Sequence, residues 1–282
     1  MKKIIAAFDG LKFSDSTKEY AVHLAQNSNA HLVSIFLDDI TYHSYKLSEV
    51  LDTHGAWMEK QKTRLDQKDR DVRKNAERSF EEYCQQAGIN YSVHHNKLIA
   101  IQELLHESIY SDLLIIDANE TVSRYEKEPP THFIKDLLAE IHCPALLVPE
   151  KYKPVEKIIL LYDGQPSSVY AIKMFSYILN SLKHLAIEVL SVKNPNQSLH
   201  VPDNKLMKEF MKRHYPNAEY TVLKGEAESE IISYLKAQHE NILVVLGAYG
   251  RGMVSQWLHE SMADILMKQF KIPLFITHEF NH

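Results

Sequence analysis

A glycine-rich loop follows an apolar run near the end of the chain and is the first group of residues that could do chemistry. The run spans 242–246, and Ser261 opens the next helical stretch after the loop. Glycines let backbone N–H groups approach a ligand closely, and the start of a helix favours an anion. We therefore predict a phosphate site here, in which Arg251 adds positive charge. The loop consists of Gly247, Ala248, Tyr249, Gly250, Arg251 and Gly252.

Two further polar groups belong to this prediction, and each has a second interpretation. Asp163 and Gly164 follow the apolar run 157–162. If that strand lies beside the strand that ends at Gly247, Asp163 and Gly247 face each other across the ligand crevice of an open parallel sheet. Asp163 is also suited to a turn. The hydroxyl of Ser261 could contact phosphate or cap its helix, and the pattern leaves both open.

An internal repeat organises the chain. The segment 3–10 reads KIIAAFDG and is echoed by 157–164, which reads KIILLYDG. Later, 143–148 (CPALLV) matches 272–277 (IPLFIT). The first pair is offset by 154 positions and the second by 129, so the first copy carries 25 additional residues. These residues fall between its second and third strands.

Within each copy, short apolar runs alternate with segments of helical periodicity, as in βαβ units. The runs predict strands near 3–8, 31–37, 89–94, 113–117 and 144–148, and again near 157–162, 185–192, 218–223, 242–246 and 273–277. We therefore predict an α/β fold of two tandem doubly wound domains, each a five-stranded parallel sheet with helices on both faces. The polar stretch 149–154 is predicted to be the linker, which gives domains at 1–150 and 155–282.

The additional residues of the first copy predict one long helix that ends at Gly88. Apolar residues recur in it at spacings of seven, four and three, while the remaining positions are densely charged. This stripe consists of Met58, Leu65, Val72, Ala76, Phe80 and Tyr83. Either the stripe packs on the body of the protein or the helix is a docking arm.

Composition argues against several functions. The 282 residues carry a formal net charge of -5 and no block of Lys and Arg, so we expect no nucleic-acid binding. No apolar stretch reaches the roughly 20 residues of a membrane helix, so we expect no membrane insertion. The two cysteines, Cys84 and Cys143, suit a reducing cytoplasm. The 16 histidines show no metal-ligand spacing.

The glycine spacing, the Asp-Gly after strand one and the Ile-Pro before the last strand resemble the universal stress protein family. The resemblance covers essentially the whole chain as two copies. It implies the strand order 3-2-1-4-5, a nucleotide cleft between strands one and four, and pairing of the domains through their last strands. It also implies ATP or AMP, with Mg²⁺, as the ligand. Carried over by position, the contacts are Asp163, approximately Val192, Gly247, Gly250 and Ser261, to which the loop pattern adds Gly164, Arg251 and Gly252.

Both copies depart from the family pattern. In the second, Glu260 stands where the family has its last loop glycine. A carboxylate about 4 Å from a phosphate charge repels it by about 1 kcal/mol in water, and by more in a cleft. In the first, an offset of 129 places Ala118, Asn119, Glu120 and Thr121 against Gly247–Gly250, and Thr131-His132 against Glu260-Ser261. The first copy is therefore predicted to lack the site, with Asp9 and Ser14 in local turn and capping roles.

These observations favour a cytoplasmic stress-response protein that binds or senses an adenine nucleotide through its second domain. The alternative is an assembly or scaffold protein whose cleft is filled by Glu260 and Tyr249. Slow ATP hydrolysis is a third interpretation, although no residue is placed as a general base. We expect the two domains to pair within the chain, and a homodimer or an unknown protein partner remains open.

Overall fold

The computed structural model describes residues 2–37, 43–45, 56–95, 99–123, 128–247 and 261–277. Three predicted site residues, Gly250, Arg251 and Gly252, lie outside this part of the chain, and so does Glu260. The described residues form ten strands and eight α-helices.

The strands and helices alternate through both copies of the repeat. The first half contains β1 (Lys3–Phe8), α1 (Asp15–Ser28), β2 (His31–Phe36), α2 (Ala56–Ala87), β3 (Tyr91–His95), α3 (Ala100–Ser108), β4 (Leu113–Asp117), α4 (His132–Glu140) and β5 (Ala145–Val148). The second half contains β6 (Lys157–Leu161), α5 (Pro166–Ile178), a 3₁₀ helix (Asn180–Leu182), β7 (Ala186–Lys193), α6 (Asn204–His214), β8 (Glu219–Lys224), α7 (Ala227–Lys236), β9 (Ile242–Gly247), α8 (Met262–Gln269) and β10 (Leu274–Thr277). The predicted strands are confirmed to within two residues at each end.

All ten strands form one sheet, in the order β3-β2-β1-β4-β5-β10-β9-β6-β7-β8. Neighbours within each half are parallel, so each half has the predicted order 3-2-1-4-5. The halves join where β5 and β10 pair antiparallel, with Leu147 opposite Leu274. Pairing of the two copies through their last strands is thereby confirmed.

Apolar cores cover both faces of this sheet, as the continuous apolar runs of the strands require. One core includes Phe80 from the first half and Phe175 from the second. The core on the other face includes Leu137 and Leu266, again from different halves. Because both cores continue across the β5–β10 junction, the exact domain limits at 150 and 155 stay a prediction. Among the described helices, none is both long and apolar enough to cross a bilayer.

Side chains also tie the two halves together on one face of the sheet. Lys2 Nζ donates to the carbonyl oxygen of Tyr177 at 2.5 Å and to that of Ile178, at the C-terminal end of α5. A positive charge is favourable at this end of a helix, where carbonyl groups are left without partners. The hydroxyl of Tyr20 donates to the carbonyl oxygen of Lys153 at 2.8 Å, which fixes the connecting segment against α1.

The long helix α2 is confirmed, but its predicted apolar stripe is only partly correct. Gly88 ends the helix with φ +65°, as predicted. Ala76 and Phe80 are buried as predicted, whereas Val72 and Tyr83 are each 36% exposed. Cys84 is fully buried and completes the face of Ala76 and Phe80, because residues four apart lie one above the other on a helix.

The repeat preserves a lysine–carboxylate pair at the amino ends of the strands, although the carboxylate comes from different elements. In the first half, Lys3 Nζ lies 2.8 Å from Glu107 on α3. His94 on β3 contacts the same carboxylate at 2.9 Å. In the second half, Lys157 Nζ lies 2.9 Å from Glu188, which lies within β7.

Glu188 also accepts hydrogen bonds from the hydroxyls of Tyr234, at 2.5 Å, and of Thr221. Thr221 occupies the position in β8 that His94 occupies in β3. Ile35 of β2 pairs with His94, and the corresponding residue of β7, Leu190, pairs with Thr221. Burial alone would raise the pKa of Glu188 and of Glu107, but the hydrogen bonds and the lysine charge lower both. Both carboxylates are therefore charged partners of a lysine within the fold.

Candidate functional site

The carboxyl ends of β6 and β9 form the candidate site of the second half. The two strands pair in parallel, with Leu160 opposite Val245, and the strand order reverses between them. A helix follows each strand: α5 after β6 and α8 after β9. Each helix returns toward the amino ends of the strands, so both helix N-termini lie at the edge where Asp163 and Gly247 end their strands. Ligands of open α/β sheets bind at such a switch point.

Gly247 packs against the first turn of α5 so closely that no side chain fits. A Cβ at this position would lie 2.5 Å from the carbonyl oxygen of Ser167 and 2.6 Å from its carbonyl carbon. These are backbone atoms, which cannot rotate away as a side chain can. Gly247 therefore allows the end of β9 to approach the N-terminal turn of α5 directly.

The N-terminus of α5 differs from that of its counterpart α1 in the first half. The N-cap of α1 is Ser14, whose Oγ accepts a hydrogen bond from the backbone N–H of Thr17 at 3.2 Å. The N-cap of α5 is Gln165, which makes no side-chain capping hydrogen bond, and Pro166 follows it. Pro166 has no N–H, and the N–H of Ser168 donates to the carbonyl oxygen of Gln165 at 3.2 Å, so the donor that this turn of α5 offers to an anion is the N–H of Ser167.

Asp163 and Gly164 shape the turn between β6 and α5. Asp163 is exposed, and its Oδ1 accepts a hydrogen bond from the backbone N–H of Gln165 at 2.9 Å. Its turn role, one of the two predicted alternatives, is thus present. Gly164 has φ +89°, and a Cβ there would lie 2.7 Å from the Cβ of Pro202. The glycine is required both by the backbone conformation and by the proximity of Pro202.

The segment 194–203 lies over this turn and was not anticipated as part of the site. The hydroxyl of Tyr162 donates to the carbonyl oxygen of Pro202 at 3.2 Å. Lys193 Nζ donates to the carbonyl oxygen of His200 at 2.8 Å, and Lys224 Nζ to that of Pro195 at 3.0 Å. Val192 is half-buried near the end of β7, next to this segment. These contacts hold the segment beside the ends of β7 and β8 and against the turn between β6 and α5.

Ser261 is the N-cap of α8, one of its two predicted roles. Its Oγ accepts a hydrogen bond from the backbone N–H of Asp264 at 3.2 Å, and the Asp264 carboxylate accepts one from the backbone N–H of Ser261 at 3.3 Å. This is a reciprocal capping box, with Asp in place of the usual Glu or Gln. The hydroxyl hydrogen of Ser261 is not used by the cap, so it can still be donated to a ligand.

In the first half, the carboxylate of Glu120 lies just beyond the carboxyl end of β4. Glu120 Oε1 accepts hydrogen bonds from the backbone N–H groups of Thr121 and Val122, both at 2.8 Å. Val122 has φ +47°, and successive N–H groups around such a left-handed residue form an anion-binding concavity. A side chain of the protein itself therefore occupies these donors.

Two more acidic residues lie around Glu120. Asp9, which is 1% exposed, accepts a hydrogen bond from the backbone N–H of Leu11 at 2.8 Å, and Asp117 accepts one from Ser14 Oγ at 2.9 Å. Burial and the charges of Asp9 and Asp117 raise the pKa of Glu120, the two N–H donors lower it, and the net result is a pKa of about 7. The local turn and capping roles predicted for Asp9 and Ser14 are present.

The predicted correspondence between the two loops is wrong by one residue at its end. At the offset of 129, Thr131 matches Glu260 and His132 matches Ser261. In the structure Thr131 is the N-cap of α4, and its Oγ1 accepts a hydrogen bond from the backbone N–H of Ile134 at 3.2 Å. Thr131 is thus the counterpart of Ser261, because α4 begins one residue earlier than the offset implies.

The two cysteines and the described histidines form no second site. Burial raises the pKa of the Cys84 and Cys143 thiols to about 12, so neither is a reactive thiolate near neutral pH. Within the described residues, no group of three or more His, Cys, Asp or Glu side chains is placed to hold a metal ion.

Comparison with known proteins rests on structure, because no protein-family model and no curated protein matches the sequence. The chain is similar to a universal stress protein from Archaeoglobus fulgidus DSM 4304, with a TM-score of 0.69 and 12% identity over 98% of each chain. The chain has the fold of a tandem universal stress protein.

Two Pseudomonas aeruginosa proteins share this universal stress protein fold. A functionally unknown protein from strain PAO1 matches with a TM-score of 0.62 and 12% identity, over 99% of this chain and 92% of its own. A protein from strain UCBPP-PA14, provisionally named a universal stress protein, matches with a TM-score of 0.59 and 14% identity, over 99% of this chain and 93% of its own. At such identities the likeness establishes the fold, and the ligand must be argued from the site.

Sequence reasoning about this universal stress protein fold missed two residues, Glu120 and Pro202. Glu120 was noted only as a replacement in the loop, since its contact with the N–H groups of Thr121 and Val122 depends on the positive φ of Val122. Such a φ is rare for a β-branched residue and has no sequence signal. Pro202 is 38 positions from Gly164, and only the folded chain brings them together.

Proposed function

We propose that this protein is a cytoplasmic stress-response protein that binds an adenine nucleotide, ATP or AMP, in the crevice between β6 and β9. The observation that carries the proposal is the difference between two helix N-termini. Ser14 caps α1 in the first half, whereas α5 has no side-chain cap and lies against the bare end of β9 at Gly247. An uncapped N-terminus at a topological switch point is suited to phosphate.

The residues divide into two groups around the proposed nucleotide. Gly247 and the N–H group of Ser167 would lie nearest the phosphates, together with the Ser261 hydroxyl and the predicted contacts Gly250, Arg251 and Gly252. Asp163, Gly164 and the backbone near Val192 would lie nearest the nucleoside. The described part of the site offers no metal cluster, so Mg²⁺ would be held largely by the phosphates.

Ligand-dependent stability tests the proposal. ATP with Mg²⁺, ADP or AMP should raise the melting temperature with the logarithm of concentration, because a ligand at 100 times its dissociation constant stabilises the folded state by about 2.7 kcal/mol. A flat response to all three nucleotides at millimolar concentrations would contradict nucleotide binding.

The two helix caps give a matched pair of variants for this test. Ser261→Ala and Thr131→Ala each remove one N-cap, which costs about 1 kcal/mol. Thr131→Ala also removes the hydrogen bond that its hydroxyl donates to the carbonyl oxygen of Glu120, so it should cost about 1 kcal/mol more. Only Ser261→Ala also removes a hydroxyl from the proposed site, and we expect it alone to weaken nucleotide binding in calorimetry, by about tenfold. Equal nucleotide affinity of both variants would exclude Ser261 as a contact.

An assembly or scaffold function is the second candidate, and the first half supplies the observation that favours it. There Glu120 occupies the crevice, so this half contributes a folded surface without an open anion site. In this case the protein would form a homodimer or retain a protein partner. Light scattering that shows a monodisperse monomer, together with nucleotide-dependent stabilisation, would favour the first candidate.

A further inference from the structure

Helices α5 and α6 together present an exposed apolar and aromatic surface. Leu206 is 67% exposed and Tyr177 is 55% exposed, while Phe210, one turn after Leu206, is half-buried. The ring of His214 connects the two helices, since its centroid lies 4.2 Å from that of Phe210 and 5.4 Å from that of Tyr177. A hydrogen bond of 2.6 Å between His214 Nδ1 and Ser176 Oγ fixes this ring. Leu206, Phe210, His214 and Tyr177 therefore form one continuous surface, the α6 patch.

Positive charge surrounds the α6 patch. Helix α6 carries one acidic residue, Glu209, and four basic residues, all of which are exposed. On α5, Lys173 lies one turn before Tyr177 on the same side of the helix. The whole chain has a formal net charge of -5, so this concentration of positive charge is local. The basic residues of α6 are Lys205, Lys208, Lys212 and Arg213.

The equivalent helix end in the first half has neither property. The matching strand positions of His94 and Thr221 give an offset of 127 (221 minus 94). This offset also aligns buried residues of α2 with buried residues of α6, namely Phe80 with Met207 and Cys84 with Met211. The core positions are thus alike, whereas the outer face is neutral or acidic in the first half and apolar or basic in the second. The outer correspondences are Ser79 with Leu206, Glu81 with Lys208, Gln85 with Lys212 and Gln86 with Arg213.

We propose that the α6 patch docks on an anionic lipid surface, with Leu206 and Tyr177 entering the headgroup region and the basic side chains contacting the headgroups. An exposed leucine and aromatic rings beside Lys and Arg are typical of helices that lie at a membrane interface. Tyrosine suits this interface because one end of its side chain is apolar and the other polar. Each Lys or Arg near an anionic leaflet raises affinity by about fivefold. Charge complementarity therefore favours an anionic surface over a neutral one.

Sedimentation of the full chain with phospholipid vesicles tests this proposal. The protein should bind vesicles that contain about 30% phosphatidylserine at least about tenfold more tightly than pure phosphatidylcholine vesicles, and about 1 M salt should weaken this binding. No binding to the anionic vesicles, or equal binding to both compositions, would overturn the proposal. If the chain binds polyglutamate but not the vesicles, the partner is an acidic protein segment and the proposal is wrong.

A matched pair of double variants tests the charges. Lys212→Gln with Arg213→Gln introduces the residues of the first half and should weaken binding to the anionic vesicles at least about tenfold. Lys74→Gln with Arg78→Gln removes the same charge from α2 and should bind like wild type. All four side chains are exposed, so folding should be unaffected, which the melting temperature checks. Equal vesicle affinity of the two double variants would contradict docking through α6.

A second pair tests the apolar contact. Leu206→Ser introduces the first-half residue and should weaken vesicle binding about tenfold, because one apolar side chain no longer enters the headgroup region. Ile109→Ser, at a 53% exposed position after α3, should leave vesicle binding unchanged. An unchanged affinity of Leu206→Ser would contradict insertion of this residue. Nucleotide-dependent stabilisation should persist in all these variants, which separates the α6 patch from the proposed nucleotide site.

Discussion

The two halves present different chemistry at the carboxyl ends of their strands, which lie at opposite edges of the sheet because β5 and β10 pair antiparallel. Around the ends of β1 and β4 lie Asp9, Asp117 and Glu120, and Glu120 accepts hydrogen bonds from two backbone N–H groups. Around the ends of β6 and β9, Gly247 leaves the backbone bare and α5 has no side-chain cap. The parallel strand order is the same in both halves, so the difference arises from a few residues at strand ends. The fold brings the strand ends together, and these residues set the charge and the exposed backbone there.

The halves also show that a repeat can preserve an interaction while exchanging the residues that make it. Lys3 and Lys157 occupy equivalent positions, yet their carboxylates come from α3 and from β7, respectively. Glu188 is more deeply buried than Glu107, with 4% of its side chain exposed against 15%. The second half therefore depends more strongly on its ion pair.

The largest expected difference between the halves is the loss of unfolding free energy when each of the two carboxylates is removed. Glu188→Ala leaves Lys157 without its buried partner and should reduce the free energy of unfolding by about 3 to 5 kcal/mol. Glu107→Ala, at a more exposed pair, should reduce it by about 1 to 2 kcal/mol. Urea denaturation of both variants measures the two losses, and an equal loss would show that burial does not distinguish the pairs.

Substitutions at the ends of β9 and of its counterpart β4 test the close approach of β9 and α5. Gly247→Ala forces a methyl group against the carbonyl of Ser167 and should destabilise the protein by about 2 to 3 kcal/mol. The equivalent change in the first half, Ala118→Gly, should cost less than about 1 kcal/mol. Thermal unfolding compares them, and a neutral Gly247→Ala would mean that the strand end and helix move apart freely.

Titration of Glu120 should make the stability of the first half depend on pH. Its pKa is raised to about 7 in the folded protein from 4.5, so its contribution to stability is complete below pH 4.5 and is lost as the pH rises through 7. Glu120→Gln keeps an acceptor oxygen but no charge. This variant should be about 2 kcal/mol more stable than wild type at pH 8 and equally stable at pH 5.

The control for this titration is Glu128→Gln, which changes an exposed carboxylate in the same segment. It should behave like wild type at both pH values in chemical denaturation. If the stabilities of Glu120→Gln and Glu128→Gln depend on pH in the same way, the burial of Glu120 does not affect stability.

The smallest expected effect is on nucleotide affinity, when Glu260 is replaced by glycine. Glu260→Gly restores the residue that the family pattern has there and removes a negative charge, so nucleotide affinity should rise by about tenfold, or about 1 kcal/mol. Calorimetry with ATP and Mg²⁺ measures the change. Unchanged or weaker binding would show that Glu260 does not face the phosphates.

The sequence predicted the caps and turns of the site because these depend on neighbours in the chain. Ser261 caps the helix that it opens, and Asp163 bonds the residue two positions ahead, both of which local pattern can suggest. It could not choose between capping and ligand contact for Ser261, since one hydroxyl can do both. The stripe on α2 was predicted from periodicity, but exposure of Val72 and Tyr83 depends on how far α1 covers the helix.

By itself, the sequence determined the two copies of the repeat, the ten strands and the helices between them, because apolar periodicity and chain-neighbour hydrogen bonds are local properties. Tertiary structure alone decided that Pro202 lies against Gly164 and that Glu120 accepts hydrogen bonds from the N–H groups of Thr121 and Val122. These features depend on distances between residues far apart in the chain or on rare backbone angles, and no spacing of residue types encodes either one.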